Sequence, residues 1–290
     1  MISVIFDGIA YGMLLYLLSV GLSVTLGLMN FVNLAHGVFA MAGGYAALII
    51  VDHGGSFFVA LVAAFAVAAA AGAALEVFLF RRLYAAPALD QVLLSIGVVF
   101  VATATMTFIF GPTVRTLSLP LTLQGQVGIL GFDAGRYRLF LIAAGVAISA
   151  CLWLVSEYTR YGAMVRAAVD NSPVAGAMGI NVSRLFFMTF ALGCGLAGLG
   201  GALSLDMLGM EPGFALKYMV YFLLVVSVGG AGTLWGPLAA ALLVGVIDTV
   251  GKYYFPQLGG FLIYLFMIAV LLWRPKGLVA LKGAQQGRAA

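Results

Sequence analysis

EYTRYGAMVRAAVDNSPVAGAMGINVSR, residues 157–184, is a polar stretch in a chain that is otherwise almost continuously apolar. Arg160, Arg166, Asp170 and Asn171 stand close together within it. A segment buried in lipid cannot carry so many polar groups at this spacing without a large desolvation cost. The stretch is therefore expected to lie in water or against a soluble partner, and the nature of that partner decides the function.

The composition outside this stretch is that of a membrane protein. Of the 290 residues, 64% are hydrophobic and only 8% are charged, whereas a soluble globular protein is about 25% charged. The chain is therefore predicted to be an all-α integral membrane protein. Its net charge of +4 arises from few charges and gives no reason to expect a nucleic-acid partner. Cys151 and Cys194 lie in apolar runs and indicate no disulfide framework.

The apolar runs set the number of membrane spans, because a spanning helix needs about 20 apolar residues. They are residues 6–28, 34–51, 57–80, 91–110, 139–155, 185–208, 219–234, 236–250 and 261–273. These runs predict a single transmembrane domain over residues 1–290, a bundle of about eight or nine helices, some short or broken. Whether 30–51 and 219–250 span the membrane, re-enter it or are broken stays open.

Positive charges predict the orientation. With nine runs, one side receives Arg81, Arg82, Arg160, Arg166, Arg184, Arg274, Lys276, Lys282 and Arg288. The other side receives Arg115, Arg136, Arg138, Lys217 and Lys252. The positive-inside rule then places residues 157–184 and the C-terminus in the cytoplasm and the N-terminus outside. An eight-span arrangement breaks this partition, so nine runs are preferred.

The longest outer loop, residues 111–138, contains a strand-like alternation. Leucines at every second position from Leu117 to Leu123 precede a turn candidate at Gln124-Gly125. Pro120 argues against a central strand. The pattern predicts a small external hairpin; the alternative is an ordered loop that caps the bundle.

The polar stretch 157–184 contains two helix-like segments, at 161–168 and 173–179. Between them, Ser172 before Pro173 is a good helix start, because proline fits the first turn. A short cytoplasmic helix with small exposed residues can fit a groove on another protein. The alternative is a solvated loop between two spans, although an unconstrained connection need not be this long or this helix-like.

Motifs for chemistry are missing from the sequence. The phosphate-binding pattern G-x-x-x-x-G-K-[ST] does not occur, so any ATP-driven activity needs a separate subunit. His36 and His53 lack neighbours at metal-ligand spacing, and no hydrolase or metalloprotease motif occurs. We therefore expect a protein that is not an enzyme and that binds no cofactor or metal itself.

Polar groups and glycine pairs inside the apolar part suggest a substrate path. Asn30, Asn33 and His36 are spaced to lie near one helical face, and glycines beside them could allow a helix break. The residues assigned to the path are Asn30, Asn33, His36, Gly43, Gly44, Gly229 and Gly230. The alternative for the Asn and His side chains is a turn in which they cap helix ends.

Local pairing explains most charges near the ends of the runs. Asp248 and Lys252 are predicted to form an i,i+4 ion pair, and Glu76 is expected to pair with the arginines that follow it. The small residues Gly193, Ala197 and Gly201 form a face suited to close helix packing, within one subunit or in a dimer.

Four stretches in this order resemble the membrane permease of ABC importers for branched-chain amino acids. They are GLMNFVNLAHG (27–37) with GGY (43–45), GAMVRA (162–167) through Gly179-Ile-Asn181, VGGAGTLWGP (228–237), and RPKGL (274–278). Each is weak alone, but together they cover nearly the whole chain.

The resemblance implies a bacterial inner-membrane importer that works by alternating access. Its other parts would be a periplasmic solute-binding protein, a second homologous permease and two cytoplasmic ABC ATPases that bind ATP and Mg²⁺. A heterodimer of permeases is expected, with a homodimer as the alternative. The solute would be a branched-chain or related amino acid; urea, short amides or another amino acid stay open, as does a stand-alone carrier or channel.

The resemblance also implies that residues 157–184 contain the coupling helix that contacts the ATPase. The residues assigned to coupling are Arg160, Gly162, Arg166, Ala167, Asp170, Asn171, Ala175, Gly179 and Ile180. The acidic Glu-Ala-Ala signature of other importers is absent here, where the sequence from Arg166 to Asp170 is RAAVD.

Overall fold

The computed structural model describes residues 1–29, 31, 33–84, 86–129 and 132–273. Its helices are α1 (Ile2–Met29), α2 (His36–Asp52), α3 (Phe57–Phe78), α4 (Ala88–Phe110), α5 (Arg136–Tyr158), α6 (Arg160–Ala177), α7 (Val182–Leu203), α8 (Phe214–Gly229), α9 (Trp235–Tyr254) and α10 (Gly259–Trp273). A short 3₁₀ helix, Phe80–Leu83, follows α3, and two strands, β1 (Gln126–Ile129) and β2 (Phe132–Gly135), precede α5.

Each predicted apolar run overlaps one of these helices, and α6 is the additional helix in the polar stretch. In the described part, α1, α3, α4, α5, α7 and α9 are long and apolar enough to cross a membrane, and α2, α8 and α10 are shorter apolar helices. Helices satisfy their own backbone hydrogen bonds, which a membrane interior demands. The chain is therefore an α-helical, multi-pass membrane protein, as predicted.

The helices differ in how deeply they lie in the bundle. α1 is buried along almost its whole length and is its central helix. α4 is peripheral and buries only Gln91, Ser95 and Val99, a stripe with a spacing of four residues. The other faces of α4 expose large apolar side chains such as Phe108.

Glycine contacts hold the centre of the bundle together. Gly21 of α1 lies against Gly193 of α7, and Gly43 of α2 lies against Gly198 of α7. A Cβ at Gly201 would overlap the carbonyl of Ala40 in α2. Small residues let membrane helices approach this closely. The predicted small-residue face of α7 therefore packs within the subunit.

The chain crosses the bundle back and forth and gives it two ends. The α6 end carries α6 and the connections α1–α2, α3–α4 and α8–α9; the hairpin end carries β1, β2 and the connections α2–α3, α7–α8 and α9–α10. At the hairpin end the Tyr137 hydroxyl donates to the Leu203 carbonyl at 2.7 Å. At the α6 end the Gly232 amide donates to the Ser23 carbonyl at 2.9 Å.

The predicted hairpin exists within residues 111–138, but the predicted position of its strand is wrong. β1 and β2 pair antiparallel, with Gln126 opposite Gly135, whereas the residues from Leu117 to Leu123 contain no strand. Pro120 lacks the N–H that a strand needs, and a turn follows it. Leu117 is instead buried against the core of the bundle. Leu119 and Leu123 are partly buried against the core and Leu121 is exposed, so this segment is an ordered loop, as in the alternative prediction.

The predicted ion pairs form. Lys252 Nζ lies 2.6 Å from Asp248 Oδ2, and Arg81 binds both carboxylate oxygens of Glu76, at 3.2 and 3.1 Å.

Candidate functional site

α6 consists of two helical halves joined at Asn171. The Asn171 backbone is non-helical, with φ −156° and ψ 93°, and its Oδ1 accepts a hydrogen bond from the Val174 amide at 3.1 Å. Asn171 is thus the N-cap of the second half, and Pro173 lies in its first turn. The predicted helix start at Ser172 is correct to within one residue.

The first half of α6 is fixed to the bundle. The Thr159 side chain caps it by accepting from the Gly162 amide at 3.1 Å, and a Cβ at Gly162 would overlap the Ser156 carbonyl. The Tyr161 hydroxyl lies 2.7 Å from Thr189 Oγ1 of α7. Burial raises the pKa of Tyr161, so its hydroxyl keeps its proton and can donate. These contacts determine the direction in which α6 leaves α5.

Arg166 also holds α6 against the end of α5. Its guanidinium contacts the Ser156 carbonyl and lies 3.7 Å from the Glu157 carboxylate. The side chain is about half exposed, so it keeps part of its surface for another protein.

The second half of α6 ends in a glycine-dependent turn. The Ile180 amide donates to the Ala175 carbonyl at 3.1 Å, and the Gly179 amide donates to the Gly176 carbonyl at 3.0 Å. Gly179 has φ +88°, the left-handed conformation that glycine adopts at helix ends. Asn181 then caps α7 by accepting from the Arg184 amide at 2.9 Å.

Apolar side chains on α6 point away from the bundle. Met178 is 78% exposed, Val174 53% and Met164 36%, whereas Ala168 and Ala175 of α6 are buried. We call these three residues the α6 apolar face. Methionine adapts its shape to different surfaces and is common at protein-binding sites. The polar stretch therefore packs part of its surface against the bundle and leaves these three apolar side chains exposed.

The residues assigned to coupling fall on both faces. Exposed are Arg160, Arg166, Asp170, Asn171 and Gly179; partly buried are Ala167 and Ile180; buried are Gly162 and Ala175. The sequence interpretation did not include Met164, Val174 or Met178. No pattern in the sequence marked these three side chains as exposed.

The residues assigned to the substrate path are dispersed. Asn30 lies outside the described residues. Asn33 is buried; its Oδ1 accepts from the Ala35 amide at 3.0 Å, and its Nδ2 has no hydrogen-bond partner in the described part of the chain. His36 is buried in the bundle, and its Nε2 lies 3.1 Å from the Leu18 carbonyl oxygen.

The glycines of this set are contact points between helices. α2 is unbroken from His36 to Asp52, so its glycines do not introduce the helix break that they could have allowed. Gly44 packs against Met210. Gly229 ends α8 against Pro237, and Gly230, with φ +96°, turns the chain toward α9 at the α6 end.

Two cavities among the described residues are relevant to function. One of about 330 Å³ lies under α6 and includes Trp153, Tyr161, Thr189 and Trp235 in its wall. The other, of about 510 Å³, lies at the hairpin end between α1, α5, α8 and α9. We call the second one the hairpin-end cavity.

This architecture, with its apolar spans and amphipathic α6, defines the class as polytopic α-helical membrane proteins. A family model described as the permease component of the branched-chain amino acid transport system matches residues 4–271. The chain belongs to this family of transport permeases, as its sequence motifs suggested.

Similar curated proteins span almost the same length. The probable branched-chain amino acid transport permease LivH of Methanocaldococcus jannaschii is 29% identical, over 93% of this chain and 90% of its own. The high-affinity branched-chain amino acid transport permeases LivH of Escherichia coli K12 and BraD of Pseudomonas aeruginosa are 24% and 25% identical, each over 94% of both chains. No solved structure matches this chain.

Proposed function

We propose that this chain is the transmembrane permease of an ATP-driven importer. It moves branched-chain or related amino acids from a periplasmic binding protein into the cytoplasm by alternating access. The observation that carries this proposal is the family match along residues 4–271, together with relatives named for branched-chain amino acid transport. No observation favours urea, an amide or a stand-alone carrier.

In this proposal α6 is the coupling helix, and the α6 apolar face docks on a cytoplasmic ATPase. The first half of α6 is held by the Tyr161–Thr189 contact and by Arg166, so a force on α6 passes directly to α5 and α7. The exposed Met178 at its far end supplies surface that a partner can bury. Because a partner shifts a conformational equilibrium only by binding the two states unequally, ATP-dependent movement of the ATPase pair drives the change.

The proposed arrangement in the inner membrane has nine spans. The α6 end and the C-terminus face the cytoplasm, and the N-terminus, residue 1, and the loop 111–138 face the periplasmic binding protein. Residues 1–290 form one permease domain, which pairs with a second homologous permease. ATP and Mg²⁺ bind to the two ATPases.

Reconstitution tests this function. The permease pair, its ATPases and the binding protein are placed in liposomes with ATP inside, and labelled L-leucine, L-glutamate and urea are offered outside. Uptake of leucine that needs both ATP and the binding protein is the expected result. Uptake of leucine by the permease alone would show a carrier, and ATP-dependent uptake of urea in place of leucine would overturn the solute assignment.

A further inference from the structure

Asp248, a residue of the hairpin-end cavity wall, has a buried carboxylate oxygen with no hydrogen-bond partner among the described residues. Asp248 is only 2% exposed and forms part of the cavity wall. Its Oδ2 accepts from Lys252 at 2.6 Å, whereas its Oδ1 is buried without a partner among the described residues. A buried acceptor without a donor is costly. The Asp248 carboxylate can therefore accept a hydrogen bond from a further donor.

The same wall already binds ammonium groups over aromatic rings. Lys252 Nζ lies 5.9 Å from the centroid of the Tyr11 ring, and Lys217 Nζ lies 5.7 Å from that of the Tyr218 ring. Such cation–π contacts are a recognised way to hold quaternary and primary ammonium ions. The cavity thus combines a buried carboxylate and tyrosine rings, the groups that recognise an amine.

The Asp248–Lys252 pair adds a recognition element for an anion. Lys252 is about half exposed and Asp248 is buried, so the lysine can swing away while the aspartate stays. A ligand with only an ammonium would leave Lys252 without its carboxylate, and a ligand with only a carboxylate would leave Asp248 without its cation. A zwitterion inserted between them replaces one ion pair with two and leaves no charge unpaired.

The size of the cavity and the apolar part of its wall fit a small amino acid with an apolar side chain. Its volume of about 510 Å³ is within the range of roughly 300–1,000 Å³ for small-molecule pockets. Met207 and Leu208, from the α7–α8 connection, supply apolar wall beside the charged pair.

We propose that the hairpin-end cavity is a binding site for an α-amino acid zwitterion. The ligand ammonium binds Asp248 beneath the tyrosine rings, its carboxylate binds Lys252, and its side chain lies toward Met207 and Leu208. This inference rests on the proposed transport of amino acids. It adds a site on the permease itself, at the end that faces the binding protein in the proposed orientation.

The test is equilibrium binding of labelled L-leucine to the complete permease–ATPase complex in lipid nanodiscs, without the binding protein. Isopentylamine, which lacks the carboxylate, and 4-methylpentanoate, which lacks the ammonium, serve as competitors. Each is expected to bind at least about tenfold more weakly than leucine, since each loses one charged contact. Equal competition by either analogue would overturn the zwitterion assignment.

Two variants locate the site. Asp248→Asn is expected to weaken leucine binding about tenfold or more and to reduce the preference for leucine over 4-methylpentanoate. Lys252→Gln is expected instead to reduce the preference for leucine over isopentylamine. A purely structural ion pair would not alter these two preferences separately. Asp52→Asn, at an exposed acid of the same end outside the cavity wall, is the matched control and should bind leucine like the wild type.

The outcomes separate this inference from the proposed function. If the wild-type importer takes up leucine but its permease complex binds none, or both variants bind as the wild type does, the cavity assignment is wrong and the function stands. If the importer does not take up leucine or any other amino acid, the function itself is wrong. Lys252→Gln, at a half-exposed side chain, keeps the test decisive even if Asp248→Asn fails to assemble.

Discussion

His36 in α2 donates a hydrogen bond through Nε2 to the main-chain carbonyl of Leu18 in α1, at 3.1 Å. A carbonyl oxygen can only accept, so the proton resides on Nε2. The ring also lies edge-on to Phe39 and Phe222. One side chain from the predicted substrate path therefore joins two helices deep inside the subunit.

We predict that His36→Leu lowers stability by about 1–3 kcal/mol, because it removes this donor and changes the packing against the phenylalanines. The solute preference should stay unchanged. The measurement is the fraction of the complex that keeps its size-exclusion peak after heating, with competition uptake alongside. His36→Gln retains a donor and should recover part of the loss. An altered solute preference at unchanged stability would instead place His36 on the path.

The glycine contacts of α7 give a matched pair of variants. Gly201→Ala should prevent correct assembly, because the added methyl group overlaps the Ala40 carbonyl of α2 and neither backbone can move away cheaply. Gly97→Ala in α4 adds the same methyl group where no atom lies within 4 Å. It should leave yield and thermal stability unchanged or slightly raised, since alanine favours helix over glycine by about 1 kcal/mol. Equal effects of the two variants would contradict the close contact.

On the α6 apolar face, Met178→Glu and Val174→Glu should reduce uptake at least about tenfold by placing a charge in the interface with the ATPase. Both side chains are exposed, so the permease itself should remain folded in the membrane. The measurements are ATP-dependent uptake, substrate-stimulated ATP hydrolysis and co-purification of the ATPase. Met178→Leu keeps an apolar side chain and is the control. Wild-type uptake and co-purification in both Glu variants would place the ATPase contact elsewhere.

Glu76 anchors the α6 end of α3 through a partly buried cluster with Arg81 and Tyr84. It is fully buried, accepts two hydrogen bonds from Arg81 and accepts one from the Tyr84 hydroxyl at 2.9 Å. Burial, followed by the nearby carboxylate of Glu76, raises the pKa of Tyr84, so the phenol remains a donor.

We predict that Glu76→Ala lowers stability by about 1–3 kcal/mol, because the phenol loses its acceptor and the guanidinium loses its counter-ion. Thermal survival of the detergent-solubilised complex measures the effect. Glu76→Gln retains an acceptor and should cost less than the alanine variant. If the alanine variant is as stable as the wild type, the cluster does not stabilise the fold.

The helices were predictable because membrane burial leaves few alternatives. A backbone in lipid must bond to itself, so each long apolar run became a helix. The ends were less predictable: α5 begins at Arg136, three residues before the apolar run, because a long charged side chain at a helix end can reach out of the apolar layer. Pro120 and the turn after it were stronger local signals than the leucine alternation around them.

The sites were less predictable because they depend on contacts between distant segments. Periodicity identified α6, but it did not show that Ala175 faces the bundle and Met178 faces outward. The spacing of Asp248 and Lys252 predicted their ion pair. It did not indicate the unpaired carboxylate oxygen. Nor did it indicate the cavity beside this pair, whose wall also requires Tyr11 from α1 and Tyr218 from α8.

The glycine crossings also determine where this chain can change in evolution or by design. Where Gly21 meets Gly193 and Gly43 meets Gly198, backbone lies against backbone, so every other amino acid is too large. On the outer faces of α4, many apolar residues can replace one another. In saturation mutagenesis, the tolerance of each position to substitution should therefore depend on its distance from the points where α1 and α2 cross α7 more than on its hydrophobicity. A count of apolar residues would not predict this pattern.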